Sequence, residues 1–183
     1  KYAKVYNTGT ALLLADLEPG QVFGSRQREN ALLHGISDTL LHTLRRTNST
    51  GAFLFFIPEG TVPEEAVSLR GLYYRDLDPV LTPSNAEDIL FEKGLASIAR
   101  KHNIQLDSTW TEMYEISPEH TDTWRAIFAP YEVALAHPEL SVADMSYWAA
   151  PHQLNPDSRL DSNLCISYTR PLFYRGKLIG VIG

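Results

Sequence analysis

From Ser25 onward, apolar side chains recur at every third or fourth position: Leu33, Ile36, Leu40, Leu41 and Leu44. That period predicts a long amphipathic helix, N-capped by Ser25 and running through Arg46, roughly twenty-two residues in all. Arg45 and Arg46 suit the negative end of its dipole, and Asn48-Ser49-Thr50-Gly51 terminates it. Residues 52 to 57 are apolar on both faces, which predicts a central strand stopped by Pro58-Glu59-Gly60. A second strand is expected over Gly71-Leu72-Tyr73-Tyr74-Arg75-Asp76, and Pro79, Pro83 and Ser84-Asn85 mark a structured loop after it. Asn85 would cap a further helix to about Lys101, with Ile89, Leu90 and Ile98 on its apolar face and Gly94 weakening it by roughly 1 kcal/mol.

Trp110, Glu112, Tyr114 and Ile116 alternate with Thr111, Met113 and Glu115, the period of a short strand. Residues 119 to 137 read as a helix that Pro130 kinks or splits. Two β-branched and aromatic runs, residues 164 to 174 and 177 to 183, flank Arg175-Gly176 and predict a tight β-hairpin. Its second strand is still apolar at Gly183, so a piece of a longer protein is expected. Residues 1 to 24 are ambiguous: Ala11-Leu12-Leu13-Leu14-Ala15 suits a helical turn or a strand, and Pro19-Gly20 a turn. The pattern as a whole predicts one α+β domain over residues 1 to 183, with 1 to 24 as lead-in and 25 to 183 as core. Its architecture would be an antiparallel sheet of about five strands, with a long N-terminal helix and helices inserted before the hairpin.

A formal charge of −6 without a Lys/Arg cluster argues against a nucleic-acid partner and against lying flat on an anionic membrane. Cys165 is the single cysteine, cannot form an internal disulfide and is expected as a small buried hydrophobe. No signal peptide is visible, and the longest apolar runs are too short to span a bilayer. The histidines His34, His42, His102, His120, His137 and His152 form no zinc-type pair, so no metal or cofactor is expected.

The sharpest polar constellation is Tyr73-Tyr74-Arg75-Asp76-Leu77-Asp78-Pro79. Strand alternation turns Tyr73 and Arg75 to one face, Tyr74 and Asp76 to the other. Arg75 could present a planar fork to a ligand carboxylate, with Asp76 or Asp78 receiving an amine. The plainer alternative is an Arg–Asp ion pair that fixes the loop. Asp76-Leu77-Asp78-Pro79-Val80 also fits the Asp-x-Asp-x-Val form of haloacid-dehalogenase-like phosphohydrolases, with Asp76 as nucleophile, Asp78 as acid/base and Mg²⁺ on the phosphate. Against that stand the tyrosine-rich strand, the lack of alternating parallel units and the lack of a later acidic pair after a strand. Trp110, Trp124, Tyr131, Tyr147, Trp148 and Tyr168 are core packing or the walls of a ligand cavity. Asp144 and Asp161 read as loop-solvated.

Tyr147-Trp148-Ala149-Ala150-Pro151, the polar loop after it, Ser167-Tyr168-Thr169-Arg170-Pro171-Leu172, the turn at Gly176 and Gly180-Val181-Ile182-Gly183 resemble, in that order and spacing, the C-terminal half of a Cache domain. Cache domains are PAS-like extracytoplasmic sensor modules of bacterial transmembrane receptors; the resemblance covers the hairpin well and residues 25 to 183 more loosely. It implies a small-molecule ligand, with an amino acid or carboxylate as the expected class, and a parent anchored in the membrane. A homodimer through the N-terminal helix and an output module of GGDEF diguanylate cyclase, histidine kinase or chemoreceptor type would go with it. No catalytic apparatus is expected in the chain itself; the rival to sensing and to hydrolysis is a ligand-free interaction or dimerisation module. The resemblance puts Tyr73, Arg75, Asp76 and Asp78, and likewise Tyr147 and Trp148, beside the ligand; the aromatic cluster adds Trp110, Tyr131 and Tyr168 to the expected lining, with Arg75, Tyr131 and Trp148 converging on one hollow. The amino-acid-binding Cache subgroup follows its arginine with Trp-Tyr; this chain has Arg75-Asp76-Leu77-Asp78, so that subgroup's ligand is not carried over.

Overall fold

The computed structural model describes residues 25–61, 65–81, 85, 87–155, 164–174 and 176–183. The expectations for the lead-in, for Pro83 and Ser84, for Asp161 and for Arg175 lie outside the described residues. In chain order the elements are α1 (Arg26–Arg45), β1 (Gly51–Phe56), β2 (Val67–Asp76), β3 (Ile89–Lys93), α2 (Ala96–His102), β4 (Gln105–Thr111), β5 (Met113–Ile116), α3 (Thr121–Ala136), β6 (Tyr147–Trp148), β7 (His152–Gln153), β8 (Leu164–Cys165), β9 (Tyr168–Tyr174) and β10 (Lys177–Ile182). The protein is mixed α+β.

β1 lies in the middle of the main sheet, as its apolar faces predict. The sheet has eight strands in the order β4-β3-β2-β1-β10-β9-β6, with β5 pairing the first half of β2. β7 and β8 form a separate two-stranded sheet. Period-two alternation along β1 divides the core. Ala52, Leu54 and Phe56 join Leu33, Ile36, Leu40 and Leu44 of α1 and Ile98 of α2 on one face. Phe53, Phe55 and Ile57 join Trp124, Ile127, Phe128 and Tyr131 of α3 on the other. The result is a helix–sheet–helix sandwich, in which each face of a central strand needs its own cover. Among the described residues no helix is long and apolar enough to cross a membrane.

Several sequence expectations are corrected. The expected sheet of about five strands is larger, and it is not wholly antiparallel: β3 and β4 run parallel. The expected helix from Asn85 to Lys101 is two elements, β3 and α2. Gly94 separates them at φ +121, where a Cβ would lie 2.7 Å from the Gly71 carbonyl, so only glycine fits and the chain leaves helical geometry. Asn85 accepts a hydrogen bond from the Glu87 amide at 3.1 Å, which builds a turn. Pro130 does not interrupt α3, which runs from Thr121 to Ala136 with Pro130 inside it. Burial of Trp124, Ile127, Phe128, Tyr131 and Ala134 against the sheet outweighs the one missing amide donor. The strand expected over residues 110 to 116 breaks at Glu112 into the end of β4 and β5, which pair with different neighbours. The first arm of the hairpin likewise divides, β8 leaving to pair with β7 and β9 pairing with β10. Gly176, at φ +78, makes the turn between β9 and β10.

Candidate functional site

A cavity of about 410 Å³ opens at the end of the sheet where β1 and β9 begin and β10 stops. The C-terminal turns of α1 (Leu40, Thr43, Leu44) and the α1–β1 connection from Thr47 onward form one wall. Phe53 and Tyr73 form the sheet-side floor, and Leu154, Cys165, Ile166 and Ser167 lie opposite. Trp148 and Tyr168 stand at the rim with ring centroids 4.7 Å apart, and Trp148 is 68% exposed. Arg170 also lines the cavity, and its Nε is buried without a hydrogen-bond partner among the described residues. The apolar floor beside a charged group is the composition of a small-ligand site.

Of the aromatic and charged residues expected around a ligand, Tyr73, Trp148 and Tyr168 line this cavity; the other six do not. Arg75, Tyr131 and Trp148 therefore do not converge. Tyr131 packs edge-on to Phe128 at 6.5 Å under α3. Trp110 donates its indole N–H to the Gly94 carbonyl at 3.0 Å and packs on the α1 side. Tyr147 sits half-buried in β6 and accepts a hydrogen bond from Thr169 Oγ1 at its carbonyl, 3.4 Å away.

β2 does turn Tyr73 and Arg75 to one face and Tyr74 and Asp76 to the other, as alternation predicts. Tyr73 belongs to the α3-side core and Tyr74 to the α1-side core. Asp76 Oδ1 accepts from the Asp78 amide at 3.0 Å, and Asp78 Oδ1 accepts from the Leu81 amide at 3.0 Å, so both carboxylates organise the turn after β2. Burial raises the Asp76 pKa despite that hydrogen bond. Among the described residues no three His, Cys, Asp or Glu side chains gather to hold a metal ion.

The Arg75 guanidinium is committed elsewhere. Its Nε lies 2.6 Å from Glu92 Oε1 and its Nη2 donates to Asp107 Oδ2 at 3.2 Å. Asn155 Nδ2 donates to Glu92 Oε2 at 2.6 Å and to Thr109 Oγ1 at 2.9 Å, and Thr109 Oγ1 donates to Asp107 Oδ1 at 2.6 Å. The ion pair expected with a neighbouring aspartate is thus made with acids of β3 and β4. Burial raises the Glu92 pKa, against the hydrogen bond from Asn155 and the attraction of Arg75. Burial also opposes ionisation of Asp107, but the hydroxyl and amide of Thr109 together with Arg75 overcome it and hold that carboxyl below its ordinary range.

The two acids pull stability in opposite directions with pH. Glu92 binds its proton more tightly folded than unfolded, so stability falls as pH rises from about its ordinary value of 4.5 through its higher folded value. Asp107 does the reverse, and its contribution is lost as pH falls below about its ordinary 3.8. Glu92→Gln should keep an acceptor for Asn155, change stability by ~1 kcal/mol or less near neutrality and flatten the decline above pH ~4.5. Urea unfolding of both proteins from pH 4 to 8 checks this; parallel curves would contradict it.

Beside the cavity lies a grouping that the sequence pattern did not single out. Cys165 Sγ is 3.9 Å from His152 Nε2, Ser167 Oγ is 3.2 Å from the same nitrogen, and His152 Nδ1 is 2.8 Å from the Ala150 carbonyl. A carbonyl can only accept, so Nδ1 carries the proton and the neutral ring offers its Nε2 lone pair to the thiol and hydroxyl. Burial alone would lower the His152 pKa, but Cys165 and the Ala150 carbonyl raise it overall. Burial alone would raise the Cys165 pKa, but His152 and Ser167 lower it overall. No spacing rule pairs residues thirteen apart across a loop; folding of β7 onto β8 brings them together.

No family model, curated protein or solved structure matches this chain.

Proposed function

We propose that this chain is an extracytoplasmic small-molecule-sensing domain of a bacterial membrane signalling protein, of the Cache type that its C-terminal motifs resemble. The observation that carries the reading is the cavity, because it is walled on one side by the last turns of α1 and on another by the start of the C-terminal hairpin. Its volume falls in the usual range for small-molecule sites, ~300–1,000 Å³. A ligand seated there touches the long helix and the sheet together, so its differential contacts can bias how α1 sits on the sheet. Passing that bias to an output module beyond the membrane belongs to the same proposal.

The ligand class is a small carboxylate, amino acids included, and the group that receives it is Arg170. Arg75 is excluded from that part, since its fork is filled by Glu92 and Asp107. Arg170 forms no ion pair among the described residues, and a buried guanidinium nitrogen gains by taking a carboxylate. Phe53, Leu154 and the Trp148–Tyr168 pair would enclose the ligand's apolar part.

A thermal-shift screen of amino and carboxylic acids tests this. A ligand at a hundredfold excess over its Kd stabilises by about 2.7 kcal/mol, which raises Tm by about 5–10 °C for a chain of this length. Arg170→Ala should remove that rise while leaving the ligand-free Tm within about 2 °C. A flat response across the whole panel would remove the support for sensing.

A further inference from the structure

Deepening the reading of this cavity as a ligand site, we infer that it is also a covalent trap for small α,β-unsaturated ketones and aldehydes, with Cys165 as the nucleophile, His152 as the proton carrier and Tyr73 as the hydrogen-bond donor to the enolate oxygen. Two independent observations meet here. One is the thiol lining the cavity with an imidazole Nε2 behind it at 3.9 Å, the imidazole held by the Ala150 carbonyl. The other is the Tyr73 hydroxyl. Tyr73 is 7% exposed and lines the same cavity, yet its hydroxyl has no hydrogen-bond partner among the described residues. That hydroxyl can therefore donate to a molecule seated in the cavity.

Burial raises the phenol's pKa most and the Glu92 carboxylate next, and Tyr73 and Cys165 lie close enough for the thiolate to add to the rise. The phenol therefore stays protonated and keeps its O–H as a donor. The same cavity has an apolar floor for the carbon skeleton of an unsaturated carbonyl compound. No oxidant or reductant is required.

The steps balance. Cys165 gives its proton to His152 Nε2, and the sulfur pair forms a bond to the β-carbon. The C=C π pair shifts to make the enolate, whose oxygen accepts a hydrogen bond from Tyr73. The His152 imidazolium then returns its proton to the α-carbon. The net change is addition of S–H across the double bond.

Cyclohex-2-enone and iodoacetamide, used as separate reagents on the whole chain at neutral pH, provide the test, with adduct mass and peptide mapping as readouts. Cys165 should add the enone ~10-fold or more faster than N-acetylcysteine does. Tyr73→Phe removes only a hydroxyl without a partner among the described residues, so its Tm should not fall. It should slow enone addition ~10-fold or more yet leave iodoacetamide alkylation unchanged, because displacement of iodide forms no enolate. His152→Gln should slow both reagents. Addition no faster than in N-acetylcysteine, equal slowing of both reagents by Tyr73→Phe, or oxidation of Cys165 by hydrogen peroxide outpacing enone addition would each overturn the inference. The carboxylate-induced Tm rise is read in parallel on the unaltered chain. A failed enone test with that rise intact removes only the covalent step, whereas a flat carboxylate screen with rapid enone addition removes only the carboxylate reading.

Discussion

Arg75→Met should destabilise the ligand-free fold by about 3–5 kcal/mol near neutral pH, the cost of removing one partner from a buried ion pair. Side-chain exposures of 8% for Arg75, 1% for Glu92 and 7% for Asp107 place all three groups away from solvent. With the guanidinium gone, two carboxylates face each other across β3 and β4. Lys93 is the next cation, and its Nζ donates to the Thr109 carbonyl at 3.2 Å and to Thr111 Oγ1 at 3.0 Å. Protonation is then the cheapest relief. Removing the cation raises the folded pKa of both acids, and a raised carboxyl pKa means stability lost as pH rises. The deficit should therefore be largest at pH 7.5 and shrink toward pH 4.5. Arg75→Lys should recover only part of it, because a single ammonium cannot reproduce the two-pronged contact with Glu92 and Asp107. Urea unfolding at both pH values decides the matter. A loss below ~1 kcal/mol at pH 7.5 would show a solvated network, and Arg75 would again be a candidate to hold a ligand.

That outcome bears on what the sequence could reveal. Alternation put Tyr73 and Arg75 on one face of β2, because the period of a strand is a local property of the backbone. The partners of Arg75 come from β3 and β4, and nothing local selects Glu92 and Asp107 over Asp76 or Asp78. Helix α1 was legible for the same local reason: its apolar stripe meets the sheet at Leu33, Ile36, Leu40 and Leu44. The segment around Gly94 was not. Ile89, Leu90 and Ile98 fit a helical face, but close approach to the Gly71 carbonyl forces the break, and that contact depends on how β2 and β3 pair. Pro130 misled in the opposite direction, since tertiary burial of α3 overrode a local breaker. The Cys165–His152–Ser167 grouping required a loop to close, so Cys165 read in isolation was only a small hydrophobe.

Phe55→Ala should also cost about 3–5 kcal/mol, at the upper end for large-to-small core changes. Phe55 has no exposed surface and sits on β1, a strand with sheet partners on both edges. Its ring stacks on Tyr114 at 4.3 Å between centroids and on Phe53 at 5.4 Å. The vacancy could close only if its surroundings moved, and the backbone on either side is pinned. Opposite Phe55 on β2 is Gly71, where an added Cβ would lie 2.0 Å from the Leu54 carbonyl and 2.5 Å from the Phe55 ring. Beside it on β10, a Cβ at Gly180 would lie 2.1 Å from the Phe55 carbonyl. Both glycines let neighbouring strands approach β1 too closely for a side chain, so Gly71→Ala clashes with backbone and cannot refill the space. The hole should remain, adding a cavity cost to the lost burial and the lost aromatic contacts. Thermal melts should show Tm lowered by roughly 6–20 °C, and urea titrations a lower midpoint at unchanged slope. A loss under ~1.5 kcal/mol would mean that α3 sinks onto the sheet to fill the gap, which would make the α3-side core a soft layer.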